Sequence, residues 1–367
     1  MMEKTKKWYR LLLFLPIILV VAVTNVIVDP ANVFHSDISA TTEAILNGNA
    51  VYFAAGNTDE RGCKKCLVEK MPKDLDCITI GPSLSMGIRA NTVGVKKYYN
   101  LSASGLQYYD YMALFGLLEF NQIKYDKLVL CVDSYFFDES IIARENRYTF
   151  WKEYAEYMED ILNKSDVIRS PKNGANLDDW FTKLSQVFSP AYFKSSVSNI
   201  LENYKNLLKN IRWGIVHDDE TAKYAHYETD GSWTYADSFI NNDVEYVIKH
   251  SNDYDIKKQF GFGLHISEKR KEMFIKLIEF LIKKGVRIEF YLCPPAPALY
   301  DRISGSEAEK YSMPAEIEAF ALEVAGKYNI KVTGTYNPYK LGIPNEDYLD
   351  SRHIRHEKIE QYFDFEF

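Results

Sequence analysis

The segment Thr79–Arg89, with the sequence TIGPSLSMGIR, joins an apolar run to a polar turn. With the residues just before it, the run CITIG predicts a buried strand that ends at Gly81 and Pro82. Ser83 and Ser85 then lie beyond the carboxyl end of this strand, where we expect a helix to begin. Ligands of open α/β sheets bind outside the carboxyl ends of the strands. A hydroxyl in this position therefore predicts a functional site, provided that the rest of the chain builds such a sheet.

Four further apolar runs predict strands of the same sheet. Near-continuous apolar strands are typical of a parallel sheet with both faces covered. Amphipathic helices are predicted between them, at Leu106–Phe120, at Glu268–Lys284 and from Pro314 onward. Alternating strands and helices predict an α/β fold with a five-stranded, doubly wound parallel sheet. The four runs are KKYYNLS (Lys96–Ser102), KLVLCVD (Lys127–Asp133), VRIEFYLCPP (Val286–Pro295) and NIKVTGT (Asn329–Thr335).

The wide gap between the third and fourth strands indicates an insertion at residues 136–263, far longer than a crossover helix requires. Stretches such as FWKEYAEYMEDIL predict that this insertion is mainly helical and forms a subdomain or lid. Residues 29–75 show little periodicity and are predicted to form a membrane-proximal connector with one short helix. Residues 76–367 then make up one domain that contains the insertion.

The N-terminus carries the pattern of a membrane anchor. Residues 1–10 form a basic flank with a net charge of +3, and the 18 residues of Leu11–Val28 carry no charge. A helix needs about 20 apolar residues to cross a bilayer, and Trp8 and Tyr9 suit its interface. We therefore predict a single-pass signal anchor in the cytoplasmic membrane, with the C-terminal domain outside, periplasmic or extracellular. A cleaved signal peptide is the alternative, but VTNVIVDP offers no small-x-small cleavage site.

Charge and cysteine content limit the class of protein. The whole chain has a net charge of −7, so the part after the basic flank carries −10. Such an acidic domain does not bind nucleic acid through its overall field. Cys63 and Cys66, in CKKC, can form a local disulfide in an oxidising compartment, whereas the other three cysteines lie in apolar runs. The histidines lack metal-ligand spacing, so we expect no metal and no cofactor.

A catalytic triad is predicted from two distant segments. After the fifth strand comes YLDSRHIRHE, which holds Asp350 and His353 three residues apart. His353 can take the proton of Ser83, and Asp350 can fix the imidazole tautomer and stabilise the imidazolium. Backbone amides after Ser83 and at Gly105 are candidate oxyanion donors. Ser85 is the alternative nucleophile.

These motifs resemble the SGNH/GDSL hydrolase superfamily. IGPSLSMGI is similar to its first block, NLSASG to its second, and LDSRH to its last. VDPANVF resembles a stretch of the membrane-anchored branch, which includes SGNH-like proteins of alginate O-acetylation and lipoteichoic acid D-alanylation. The resemblance implies a three-layer α/β/α sandwich, with Ser83, His353 and Asp350 as catalytic residues. It implies oxyanion or substrate contacts from the second and third blocks, here Gly105, Asn100 and Ser134.

The third block departs from the family pattern. The family usually has an Asn oxyanion donor there, whereas this chain has Asp133 followed by Ser134. An ionised carboxylate would repel an oxyanion unless it were turned away or protonated. The departure weakens a free-standing hydrolase more than an enzyme of surface-polymer acylation.

The resemblance implies a serine esterase or O-acyltransferase that acts on a cell-envelope polysaccharide or its acyl esters. Its expected partners are an acylated glycan or acyl donor, a multi-spanning membrane acyltransferase, and the membrane itself through the N-terminal helix. The first alternative is a catalytically degenerate scaffold in a polymer acylation or export machine. The second is a chance Ser/Asp/His set on another doubly wound fold. Aromatic residues of the insertion are candidates for a sugar platform: Trp151, Trp180, Trp213, Trp233 and Tyr235.

Overall fold

A computed structural model gives the fold of the chain, which is a mixed α/β structure with two sheets. It describes residues 14–30, 33–34, 37–54, 59–139, 151–171, 184–208, 212–256, 265–306 and 311–365.

The larger sheet has five parallel strands, and all five were predicted. In spatial order the strands are β3 (Tyr98–Asn100), β2 (Asp74–Ile80), β4 (Lys124–Cys131), β8 (Arg287–Leu292) and β9 (Lys331–Gly334). Strand β2, which comes first along the chain, therefore pairs with both β3 and β4. Strands β4 and β8 pair directly although the whole insertion separates them.

Each face of this sheet has its own apolar cluster. Ile78, Leu130 and Phe290 point into one cluster, and Cys77 and Tyr291 point into the other. Because neighbouring strand residues alternate between clusters, helices must cover both faces. The helices of seven or more residues are α1 (Leu15–Val28), α2 (Ile38–Leu46), α3 (Glu60–Lys70), α4 (Tyr108–Phe120), α5 (Lys152–Leu162), α6 (Pro190–Leu208), α7 (Val244–Asp253), α8 (Glu268–Lys283), α9 (Met313–Tyr328) and α10 (His356–Tyr362).

Local signals explain where the long helices begin and end. The Ser267 hydroxyl caps α8 by accepting the Arg270 N–H, and Gly285 follows its end with φ of 82°. Shorter helices and turns connect the remaining segments: Ser83–Ser85, Ala90–Val93, Ser134–Phe137, Asp219–Ala222, Asp237–Ile240, Pro297–Asp301, Arg302–Ser306, Pro338–Leu341 and Asn345–Asp347.

The smaller sheet was not predicted. It is antiparallel, with the order β5-β1-β6-β7, and it joins β1 (Val51–Phe53) to β5 (Trp213–Ile215), β6 (His226–Tyr227) and β7 (Trp233–Thr234). Residues 29–75 are therefore no connector, because they supply β1, α2 and α3 to the core. The insertion is likewise not purely helical. Strands of two or three residues carry no readable periodicity, which is why the sequence did not predict this sheet.

The N-terminal apolar segment is helical from Leu15 to Val28. Residues 1–10 and 11–13 lie outside the described residues. Within the part of the chain that the structure describes, no helix combines the length and the apolar character needed to span a membrane.

The CKKC motif lies on helix α3, and both of its cysteines are free thiols. Residues three apart on a helix have Cβ atoms about 5–6 Å apart, which exceeds the separation that a disulfide bridges. The predicted Cys63–Cys66 disulfide is therefore absent. Burial raises the pKa of the Cys63 thiol to about 12, so this side chain acts as a small apolar group.

Candidate active site

The serine, histidine and aspartate predicted from distant segments form one hydrogen-bonded chain. The Ser83 hydroxyl lies 2.8 Å from Nε2 of His353. Nδ1 of the same ring lies 2.9 Å from each carboxylate oxygen of Asp350. This is the geometry in which an imidazole can take a serine proton while a carboxylate stabilises the resulting cation.

Hydrogen bonds within the loop that carries Asp350 and His353 fix its conformation. Oδ1 of Asp350 accepts the backbone N–H groups of Arg352 at 2.7 Å and His353 at 2.8 Å. An antiparallel bridge between Tyr348 and Ile354 closes the loop. Burial alone would raise the pKa of Asp350, but His353 and these N–H donors outweigh it and hold that pKa well below its usual range. The carboxylate is therefore ionised whenever His353 takes a proton.

The nucleophile turn differs from the predicted helix start. Ser83 begins a single 3₁₀ turn, Ser83–Ser85, and no long helix follows it. Ser83 is half-buried, whereas Ser85 is fully buried. The Ser85 hydroxyl lies 3.0 Å from the carbonyl of Pro82 and 2.9 Å from the hydroxyl of Ser102. Ser85 is therefore part of the core, and Ser83 is the hydroxyl that faces the imidazole.

Asn100 lies near the site but its amide is used within the loop. Its Nδ2 group donates to the carbonyls of Ser85 and Ile88, both at 2.8 Å, and lies 3.3 Å from that of Met86. Its Oδ1 accepts the N–H of Ser102 at 2.9 Å. The side chain fixes the nucleophile turn against β3 rather than presenting a donor to a substrate.

The other two expected oxyanion contacts occupy different positions. Gly105 lies in a turn with φ of 56°, and its carbonyl accepts a hydrogen bond from Arg61 at 3.3 Å. The Ser134 hydroxyl is buried and lies 3.3 Å from a carboxylate oxygen of Asp133. The backbone N–H groups after Ser83 and at Gly105 therefore stay the candidate oxyanion donors.

Asp133, whose charge raised the question of repulsion, is paired with a buried guanidinium. Nη2 of Arg352 lies 2.6 Å from Oδ2 of Asp133, and both side chains are at most one-tenth exposed. The ion pair neutralises the carboxylate and joins the end of β4 to the loop that carries His353. The negative charge of Asp133 is thus compensated within the fold, which reduces the repulsion that an ionised carboxylate would exert on an oxyanion.

The contact between the segment after β7 and the ring of His353 was not predicted from the sequence. The Tyr235 ring lies 5.6 Å from the His353 ring and 5.3 Å from the His356 ring. Gly87 makes room for His356, since a Cβ there would lie 2.5 Å from the ring. Burial, reinforced by the charge of Arg89, lowers the pKa of His356 to about 4. The turn-rich ETDGSW was the available signal, since Asp-Gly marks a tight hairpin.

The β6–β7 hairpin is attached to both loops of the site. The N–H of Trp233 donates to the carbonyl of Met86 at 2.8 Å, and the N–H of Asn100 donates to the carbonyl of Asp230 at 2.9 Å. The buried ammonium of Lys64 joins the same parts by donating to the carbonyls of Asn100, at 2.8 Å, and Gly231, at 2.6 Å. The small sheet thus helps to hold the turn that carries Ser83 and places Tyr235 against the His353 ring.

Two open cavities border the histidine loop, with volumes of about 310 and 370 Å³. The smaller one reaches His353 and Asp350, and its other lining residues are His250, Asp253, Tyr254, Asp255 and Arg352. The larger one lies beside His356 and Arg89. Of the aromatic candidates for a sugar platform, Trp151 and Trp233 are buried, whereas Trp213 and Tyr235 are half-buried. Trp180 lies outside the described residues.

Among the described residues, no group of three or more His, Cys, Asp or Glu side chains is arranged to hold a metal ion. No protein-family model matches the chain, and no curated protein matches it.

Proposed function

We propose that this protein is an SGNH-like serine esterase or O-acyltransferase. The observation that supports the proposal is the 2.8 Å contact between Ser83 and a histidine that Asp350 holds from behind. Each residue type is common alone, but a half-buried hydroxyl, an imidazole and an ionised carboxylate in series are the parts that nucleophilic acyl transfer needs.

In the proposed reaction, each bond change at the acyl carbon is coupled to a proton transfer through His353. Oγ of Ser83 attacks the acyl carbonyl while Nε2 of His353 accepts its proton, and Asp350 stabilises the imidazolium. The tetrahedral intermediate collapses as Nε2 returns the proton to the leaving alcohol, which leaves an ester on Ser83. A sugar hydroxyl or water then attacks this ester by the same steps in reverse.

We propose that the substrate is an acylated glycan of the cell envelope. The support is the apolar N-terminal segment Leu11–Val28, which we propose to be a single-pass anchor that leaves the catalytic domain outside the cytoplasmic membrane. A multi-spanning acyltransferase that brings an acyl group across the membrane is the partner that such a location suits.

A catalytically degenerate scaffold of the same machine is the second candidate. It is favoured by two observations, the Asn100 amide occupied by backbone carbonyls and the carboxylate of Asp133 in the third block. Either lowers the number of oxyanion donors, which are worth several kcal/mol in acyl transfer. The scaffold would bind the glycan or the acyltransferase without forming an acyl-enzyme.

A serine-directed fluorophosphonate separates the two candidates, since only an activated serine reacts with it. We expect the full-length protein to be labelled and to hydrolyse a chromogenic acetyl ester, and Ser83→Ala to lose both properties while remaining folded. Ser85→Ala is the matched control, because its hydroxyl lies in the core two residues away and labelling should persist. Labelling that survives Ser83→Ala would reject the assignment, and an unlabelled wild type would favour the scaffold.

A further inference from the structure

The outer half of helix α1 has no cover from the rest of the described chain. Every side chain from Phe14 to Val20 is exposed, and Leu19, for example, is 60% exposed. A helix that is apolar on all sides belongs in a bilayer or a large protein core. In the second half, from Val21 onward, Asn25 and Val28 are buried against the domain, whereas Val23 and Ile27 remain exposed.

A second group of exposed apolar side chains lies on the insertion. Helix α6 and the segment just before it present Phe188, 52% exposed, and Leu201, 75% exposed. Scattered single apolar residues need no explanation, but a set along one segment marks an interaction surface. We call this set the insertion patch, and its members are Leu184, Phe188, Val197, Ile200, Leu201 and Tyr204.

Helix α1 and the insertion patch belong to one packed unit, because α6 packs along α1 through a buried asparagine. Nδ2 of Asn25 lies 3.0 Å from the carbonyls of Gln186 and Val187 and 3.2 Å from that of Ser189. Its Oδ1 accepts the hydroxyl of Ser196 at 3.2 Å. A polar side chain inside an apolar helix is costly unless it is satisfied in this way.

The end of α1 is fixed in the same manner. The Tyr192 hydroxyl donates to Oδ1 of buried Asp29 at 2.6 Å, and Arg212 donates to the carbonyl of Ile27 at 2.7 Å. Helix α1 is therefore held by the insertion rather than tethered to it by a flexible connector.

We propose that the insertion patch contacts the same bilayer that α1 enters, so that two elements seat the domain on the membrane. This rests on the anchored location given under Proposed function. Asn25 lies three residues before the end of α1, which corresponds to about 4.5 Å along its axis. The chain at Gln186–Ser189 lies at this level and therefore reaches the headgroup region when α1 enters the bilayer.

Lipid is the occupant that best fits the insertion patch. The patch adjoins an apolar helix rather than forming a groove, and α6 also exposes Lys194 and Lys205, which can reach lipid phosphates. A second copy of this chain or a membrane-embedded partner would instead cover the patch with protein.

Spin labels on single introduced cysteines test this proposal in the full-length protein, reconstituted in vesicles of phosphatidylethanolamine and phosphatidylglycerol. A Cys66→Ser background removes the half-buried native thiol, since the other four cysteines are buried. The labelled variants are Leu19→Cys on α1 and Leu201→Cys on the patch. Leu322→Cys on α9 is the control, because Leu322 is half-exposed and has no place in the patch.

We expect collision with oxygen to exceed collision with a water-soluble nickel chelate at positions 19 and 201, with the opposite ratio at 322. Position 201 should lie about 5–10 Å below the headgroup boundary. Lipid contact at 19 with water contact at 201 would overturn this proposal and leave the anchor standing. Water contact at both would reject the anchor itself, and dipolar broadening at 201 would assign the patch to a second copy.

Discussion

The two sheets of this protein differ in how the sequence encodes them and in what they contribute to the site. The five-stranded sheet is made of apolar runs that are readable one at a time, and the triad lies at its carboxyl edge. The four-stranded sheet joins residues 51–53 to residues 213–234, and its strands have only two or three residues each. It supplies none of Ser83, His353 and Asp350, yet it holds the turn that carries Ser83 and packs Tyr235 on the His353 ring.

The difference shows where polar contacts act in each sheet. At the edge of the large sheet they organise chemistry, because Asp350, Asp133 and Arg352 all bear on the loop of His353. In the small sheet they maintain the sheet itself, because short strands offer few backbone pairs. Substitutions of the polar residues at the edge of the large sheet should therefore change turnover. Substitutions of the polar residues that support the small sheet should mainly change its local stability.

The largest effect is expected for Asp350→Asn. An amide cannot stabilise the imidazolium and favours the wrong histidine tautomer, so kcat should fall by about 10⁴-fold with KM little changed. Steady-state kinetics on an acetyl ester measures this. Asp347→Asn, a similar change in the same loop whose carboxylate contacts Tyr362 instead, is the matched control. Equal losses in the two variants would contradict the triad.

The next effect concerns the Asp133–Arg352 pair. Removing one partner of a buried ion pair costs about 3–5 kcal/mol, so Asp133→Asn should lower the free energy of unfolding by this amount. It should also lower kcat, because the pair fixes the catalytic loop. Glu289→Gln breaks the other buried pair of the sheet, with Lys127 at 2.6 Å, away from that loop. Urea unfolding should show similar losses, whereas kcat should fall only in Asp133→Asn; an equal fall in both would remove the positioning role.

The sequence predicted the parts of this site that depend on local pattern. The five strands carry their own apolar signal. Ser83 follows β2 closely, and the Asp350–His353 pair lies in the segment after β9. It could not predict Arg352 as the partner of Asp133, because nothing local joins residues 219 positions apart. The contacts of Asn100 were unpredictable for a related reason, since its amide donates to carbonyls that only the folded turn brings within reach. The N-terminal segment 29–75 was read as a connector because its polar helix α3 gives little periodic signal.

A smaller effect, strongest in the second sheet, is expected for Lys64→Met. The change leaves the carbonyls of Asn100 and Gly231 without their buried donor, at a cost of about 2 kcal/mol. Hydrogen exchange should accelerate in the β6–β7 hairpin more than in β4. The half-buried neighbour Lys65→Met is the control and should leave the hairpin unchanged. Uniform acceleration across both sheets would show that they unfold as one unit and would erase the distinction drawn between them.

The smallest effect should appear at His356, where the small sheet meets the histidine loop. Its pKa is lowered to about 4 in the fold, by burial and by Arg89, against the ordinary value of 6.5. Between these values the unfolded chain binds more protons, so stability is lost as the pH falls from about 6.5 to about 4. Because the ring is half-buried, we expect a loss of about 1 kcal/mol. His356→Phe keeps the ring contact with Tyr235 and should flatten the dependence of the urea midpoint on pH in this window. A slope equal to that of the wild type would mean that His356 is solvated and that the two regions are not coupled through it.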